Sequence, residues 1–162
     1  MLSREQLDKL LKQAQTDYDT FAGLDLSNTN LSWVDFSGLN LTNTCFKNCN
    51  LSFAEFSASV LDGANFSNAT LAASNFSYAV GDDVNFTSAK ISTTTFYLAN
   101  LSLTDFSHSS ILATKFSRAV LRQVNFSYSR LNDVDFKTAY LRHVNLSKIT
   151  MGSDVIFPTG GG

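Results

Sequence analysis

From Leu26 to Leu146, every fifth residue is a phenylalanine or an aliphatic, interrupted only by Gly81. The run begins Leu26, Leu31, Phe36, Leu41, Phe46 and keeps one phase throughout. Few backbone conformations are compatible with that period. In an α-helix each residue turns about 100°, so five steps would spiral the apolar positions around the axis. In a strand, an odd period sends successive apolar residues to opposite faces. The period fits a chain that takes a short extended step, bends, and brings its next central residue back to the same interior. Such a chain is a solenoid.

The neighbouring positions agree. Two residues before the centres sit small side chains, among them Thr44, Ala54, Ser59, Ala64, Ala79, Ala99 and Ala119. A second inward site beside a phenylalanine has room for little more at native packing density. The flanking positions are mostly Asn, Asp, Ser or Thr, as in Asn-Phe-Ser around Phe66, Phe76 and Phe126, residues that face water or support bends. Phe and Leu alternate, which doubles the period to ten. With four pentads per coil, residues twenty apart stack. Phe36, Phe56, Phe76, Phe96, Phe116 and Phe136 then form one column, with Phe46, Phe66, Phe86, Phe106 and Phe126 opposite. Three pentads per coil would set Phe over Leu.

On these residues the chain resembles the pentapeptide-repeat proteins, whose motif is A-[D/N]-[L/F]-[S/T]-x. The resemblance covers about residues 24–151. It implies an all-β solenoid, a right-handed quadrilateral β-helix. At about 4.8 Å per coil, roughly six coils make a rod on the order of 30 Å long.

Residues 1–20 are expected to form an N-terminal capping helix, 21–157 the β-helix, and 158–162 a flexible tail. Within the cap, residues 3–16 read as the helix. Ser3 and Gln6 fit a capping box, and Leu7, Leu10, Leu11 and Ala14 make one apolar face. That face should cover the open end of the first coil, where bare backbone edges invite strand addition. At the other end, Val155, Ile156 and Phe157 suit a final strand that Pro158 stops. Either that end stays partly open and forms a homodimer, or the chain caps itself as a monomer. Gly81, flanked by Val80 and Val84, reads as a local bulge filled by a valine, or as a functional kink.

A net charge of −2 makes a nucleic-acid partner an unlikely expectation. No apolar run is long enough to span a membrane, so no membrane role is expected. Cys45 should face out and Cys49 in, as two reduced thiols of a cytoplasmic protein, with no metal or cofactor. His108 and His143, the only histidines, have no nucleophile or acid at a recognisable spacing, so an enzyme is not expected.

Two departures from the neutral surface are candidate sites. One is apolar. Trp33 and Phe53 share an outward column, and Tyr78 and Leu98 share another, beside Tyr97 and Leu103. The other is charge. Residues 1–105 carry eleven acids and five bases, residues 106–162 three acids and seven bases. Arg122 should stack on Arg142, near Arg118, Lys137 and His143, as a basic corner for an anion or acidic partner, with Asp62 and Asp82 earlier in the same column. Lys115 should pair with Asp135.

With no catalytic constellation, the function expected is that of a non-enzymatic scaffold or regulator that docks a protein partner on its flat sides. The resemblance implies an alternative, a DNA-mimicking binder of type II topoisomerase (gyrase) that confers quinolone protection. Against that alternative, the pentads carry no loop insertion, the C-terminal half is basic, and no C-terminal helix follows the repeats.

Overall fold

Each coil lies on the one before it with an offset of twenty residues. The computed structural model describes residues 2–159. Two parallel sheets form on opposite sides of the rod. One holds β1 (Thr70–Ala72), β3 (Lys90–Ser92), β5 (Ser110–Lys115), β7 (Arg130–Asp135) and β9 (Thr150–Met151). The other holds β2 (Val80–Asp82), β4 (Asn100–Ser102), β6 (Val120–Arg122) and β8 (Tyr140–Arg142). The pairings Leu71 with Ile91 and Leu101 with Leu121 fix four pentads per coil. The chain therefore forms the expected four-sided β-helix. Regular strands are four or five deep rather than six. Nearer the N-terminus the same ladder continues as single bridges, such as Asn30 with Asn50 and Asn40 with Val60.

The sheets occupy the two Leu/Ile sides, and the two Phe sides pair by single bridges except where β5 and β7 run on toward Phe116 and Phe136, with Thr114 on Val134 and Lys115 on Asp135. The phenylalanines meet across the axis. Within a column the rings stack nearly parallel, Phe76 on Phe96 at 5.0 Å and Phe86 on Phe106 at 4.7 Å. Between columns they meet edge to face, Phe76 with Phe86 at 5.6 Å and interplanar 80°. Both geometries suit the ring quadrupole.

The corners explain the polar positions. The residue two after most centres has φ near +55 to +65°, and only Gly23, Gly38 and Gly63 are glycines there. A side-chain-bearing residue in that region costs about 1–2 kcal/mol, which the surrounding ladder must offset. The Asn or Asp before the centre supplies part of the support. Its side-chain oxygen accepts from the backbone N–H two residues on, as Asn65 does from Ser67 (2.9 Å) and Asn125 from Ser127 (3.0 Å). Buried hydroxyls in the small inward row also find acceptors: Thr44 Oγ1 donates to the Phe21 carbonyl at 2.8 Å. Among the described residues no buried side-chain polar atom lacks a partner, as the cost of burying one unsatisfied would require.

The N-terminal helix α1 runs Arg4–Ala14, shorter than expected by a residue or two at each end. Ser3 and Gln6 form the reciprocal capping box. Leu7 is buried, and Leu10, Leu11 and Ala14 pack partly buried against the core. The Leu2 amide donates to Thr29 Oγ1, tying the cap to the first coil.

Gly81 differs from expectation. It sits in register inside β2, opposite Leu101, and the strand does not bulge. A Cβ added there would lie 2.8 Å from Val84 Cγ2 and 2.9 Å from Leu61 Cβ. Val84, buried in the same inward row as Ala64 and Val124, packs its Cγ2 beside Gly81, while Val80 stays exposed. Gly81→Ala is therefore expected to destabilise by about 1–3 kcal/mol through overpacking. Urea denaturation checks this, because the simple filling of a gap would raise stability instead.

At the C-terminus the register slips by one. Leu131 still pairs with Met151, but Asp135 bridges to Ile156 rather than to residue 155. Gly152 is the extra residue. Its position lies so close to Asn132 that a Cβ would strike the amide oxygen at 2.1 Å. The slip brings Phe157 into the phenylalanine column, stacked on Phe136 at 5.4 Å. Val155–Phe157 forms no regular strand, only the Ile156 bridge. Of the expected tail, Pro158 is half-buried and Thr159 exposed. Its remaining glycines, 160–162, lie outside the described residues.

Candidate functional site

Four of the six apolar candidates and all five basic ones surround a single side of the rod, the one built by β2, β4, β6 and β8. Each coil presents a row on this side. The row runs from a positive-φ corner residue, across the two outward strand residues, to a second positive-φ corner. Tyr78, Leu98 and Arg118 occupy the first corner, and Asp83, Leu103, Gln123 and His143 the second. Between them lie Val60 and Asp62, Val80 and Asp82, Asn100 and Ser102, Val120 and Arg122, then Tyr140 and Arg142.

This arrangement corrects two expectations. Tyr78, Tyr97 and Leu98 do cluster: the two tyrosine rings meet edge to face at 5.6 Å. Leu103 belongs to the far corner of the same side, separated from Leu98 by the width of β4. The basic residues likewise do not form one corner. Arg118 and Lys137 sit on the Tyr78 edge, Arg122, Arg142 and His143 on the Leu103 edge. What looked like two small sites is one face whose charge changes along the rod. Tyr78 and Leu103 are each just over half exposed, at 54% and 53%.

Local bonds set several of these side chains. Arg122 pairs in register with Arg142, both exposed, and its guanidinium lies 5.9 Å from the centre of the Tyr140 ring. Asp62 accepts the Asp82 backbone N–H at 2.9 Å. The Arg118 amide donates to Thr138 Oγ1, and the Lys137 amide to Asp135 Oδ1. Lys115 and Asp135 are register neighbours, but they make no ion pair. Asp135 spends its carboxylate on the Lys137 amide instead. Among the described residues the one ion pair is Arg4 with Asp8, inside the cap helix. Asp62, Asp82, Arg122 and Arg142 thus make no ion pair within the chain.

Trp33 and Phe53 lie elsewhere, on a corner beside the five-stranded side. Their rings stack at 4.1 Å, and Trp33 is 72% exposed, so the cap helix does not cover it. A groove of about 630 Å³ runs between Trp33, Leu39 and the helix residues Arg4, Leu11 and Ala14.

Sequence reasoning missed Val80 and Tyr140, which supply much of the exposed apolar area on the polarised face. The signal was available as a column of period twenty one residue before the centres. It also missed a ladder on another corner, where His108 stacks on Tyr128 at 4.9 Å and Lys148 Nζ donates to the Tyr128 hydroxyl at 2.8 Å.

The two cysteines divide as expected. Cys45 is partly exposed and Cys49 buried, with Cys49 Sγ 3.0 Å from the Leu26 carbonyl that it bonds. Burial pushes the Cys49 thiol up to about 11. At about pH 8 iodoacetamide is expected to alkylate Cys45 and spare Cys49, with both modified in denaturant. Peptide mass spectrometry reads the split. The raised value also favours the folded state only while the thiol is neutral. That contribution is complete below the unfolded value near 9 and is lost as pH rises through about 11.

No curated protein matches the chain by sequence. Solved structures do match in fold. Trypsin-treated QnrB1, a plasmid-mediated fluoroquinolone resistance protein, aligns at TM-score 0.52 and 16% identity over 85% of this chain and 88% of that chain. A second trypsin-treated QnrB1 variant aligns at 0.53 and 17%, over 85% and 86%. HetL, a protein involved in heterocyst differentiation regulation in the cyanobacterium Nostoc sp. strain PCC 7120, aligns at 0.45 and 15%, over 93% and 95%. At these identities the likeness is one of fold. The Pentapeptide repeats family matches in eight copies over residues 20–52, 49–80, 99–137 and 119–151. With the twenty-residue register and the paired phenylalanine columns, this match establishes that the chain belongs to the pentapeptide-repeat family.

Proposed function

We propose that this protein is a non-enzymatic interaction protein that docks a protein partner on the side built by β2, β4, β6 and β8. One observation carries the reading: Tyr78, Leu98 and Leu103 stand exposed on corners whose backbone the coil ladder fixes, with Tyr97 half-buried against Tyr78. Exposed apolar groups on a rigid support bury area at little ordering cost. Aromatic residues ringed by polar ones are also the composition of interface cores. Two free cysteines fit a reducing compartment, and the cytoplasm is the location this reading assigns.

The test is capture from native lysate by wild type and by a Tyr97→Asp/Leu98→Asp variant. Circular dichroism verifies the fold, which these surface changes should leave intact. The reading expects a protein captured by the wild type and lost by the variant. Equal capture by both would overturn it.

A gyrase-directed, DNA-mimicking role is the second reading. Stacked Asp62 and Asp82 offer two phosphate-like charges one coil apart, but Arg122 and Arg142 reverse the sign two coils on. A DNA mimic needs one sign along its length. Protection of gyrase supercoiling from a fluoroquinolone would favour it over docking of another protein.

A further inference from the structure

The polarised face is complementary to itself once it is reversed. Its columns read, in coil order, Asp62, Asp82, Ser102, Arg122, Arg142 and Val60, Val80, Asn100, Val120, Tyr140. The first column is acidic at one end, neutral at its middle and basic at the other. The second is apolar except at the same middle coil.

We propose that this face pairs with the same face of a second copy, the two rods running antiparallel about a two-fold axis that lies along β4. The proposal rests on the reading of this side as an interaction surface and names its occupant. A two-fold axis along the strand direction reverses the order of coils but keeps each column opposite itself. Asp62 then faces Arg142 of the other copy, and Asp82 faces Arg122. Val80 meets Val120, and Val60 meets Tyr140. The middle coil meets itself, Ser102 on Ser102 and Leu103 on Leu103. On the other edge Tyr78 falls opposite Arg118, a cation above an aromatic ring.

The alternatives fit less well. Parallel rods, related by a two-fold along the rod, would exchange the columns and set Asp82 against Val80 and Arg122 against Val120, leaving each charge against an apolar group with no opposite charge. Within one chain Arg122 already lies in register with Arg142, a repulsion that the antiparallel copy relieves. The four charged residues make no ion pair within their own chain, so no internal salt bridge competes with the pairing.

Five strand rows at about 4.8 Å make a face on the order of 400 Å² per copy. This is half the area of a standard interface. The dimer is therefore weak, with a dissociation constant on the order of 100 µM, and salt weakens it further.

Sedimentation equilibrium up to about 1 mM protein tests the proposal at low and high salt. The wild type should dimerise, at least several-fold more tightly at low salt. Arg122→Asp/Arg142→Asp leaves four acids and no base in the column and should leave a monomer. Adding Asp62→Arg/Asp82→Arg to that variant exchanges the two ends and should restore the dimer. Circular dichroism melts verify that each variant folds. A monomeric wild type overturns the proposal. So does a dimer indifferent to the arginine reversal, or an exchanged variant that folds but stays monomeric. A dimer lost on Met151→Asp and kept on arginine reversal would place the contact at the C-terminal coil and overturn it too. If the wild type is monomeric while Tyr97→Asp/Leu98→Asp still loses a captured protein, the self-pairing fails and the interaction reading stands.

Discussion

Phe86→Ala is expected to cost about 3–5 kcal/mol, at the upper end for a buried aromatic. Phe86 is fully buried. It stacks on Phe66 at 4.8 Å and Phe106 at 4.7 Å, and meets the edges of Phe76 at 5.6 Å and Phe96 at 5.9 Å. Truncation removes all four aromatic contacts, each worth about 0.5–1.5 kcal/mol beyond its area. The cavity cannot readily close. Backbone ladder bonds on both sides, such as Phe66 N–H to the Asn85 carbonyl and Phe86 N–H to the Asp105 carbonyl, both 2.7 Å, hold the coils apart. Urea denaturation measures the loss, and a value under about 1.5 kcal/mol would show that the coils collapse around the gap. Because each coil contacts only its neighbours, the transition should also broaden as the two halves uncouple.

Leu7→Asp is expected to release the cap and fray one end only. Leu7 is 2% exposed and is the one fully buried side chain of the helix. A buried unpaired carboxylate costs several kcal/mol, more than an eleven-residue helix can hold by itself, since isolated helices under about 12–15 residues are marginal in water. Losing the helix bares Phe21, Leu26 and the first coil's backbone edge. Hydrogen exchange should rise over residues 21–45 and stay slow beyond about residue 65, as expected for stability built from neighbouring coils. Uniform acceleration along the rod would contradict a local cap. The exposed edge should also promote association of the variant.

Much of this fold was legible in the sequence, because the repeat states its own register. The alternation of Phe and Leu sets the coil at twenty residues, and Ser3 with Gln6 announces the helix start. The corners were less legible. Their positive φ at residues as bulky as Trp33, Phe53 and Tyr78 has no sequence signature, since the ladder rather than the residue imposes the conformation. For the same reason the candidate residues were placed on the wrong neighbours. Leu98 and Leu103 are five apart in sequence, yet they stand on opposite edges of one side. At Gly81 a valine beside the gap was legible, but the regular strand was not: Val84 Cγ2 packs against the glycine while β2 keeps its register. The slip at Gly152 was not legible either, because it shows only in the fold, where Asp135 bridges to Ile156 and Phe157 stacks on Phe136.

Contact through the side bearing β2, β4, β6 and β8 can be read on the purified protein itself. Amide chemical shifts measured on the purified protein across a concentration series test it most directly. Changes confined to Val80–Asp82, Asn100–Ser102, Val120–Arg122 and the corners beside them are the predicted result. Changes centred on β9 and the last coil, on the Trp33–Phe53 corner, or on the five-stranded side would contradict it.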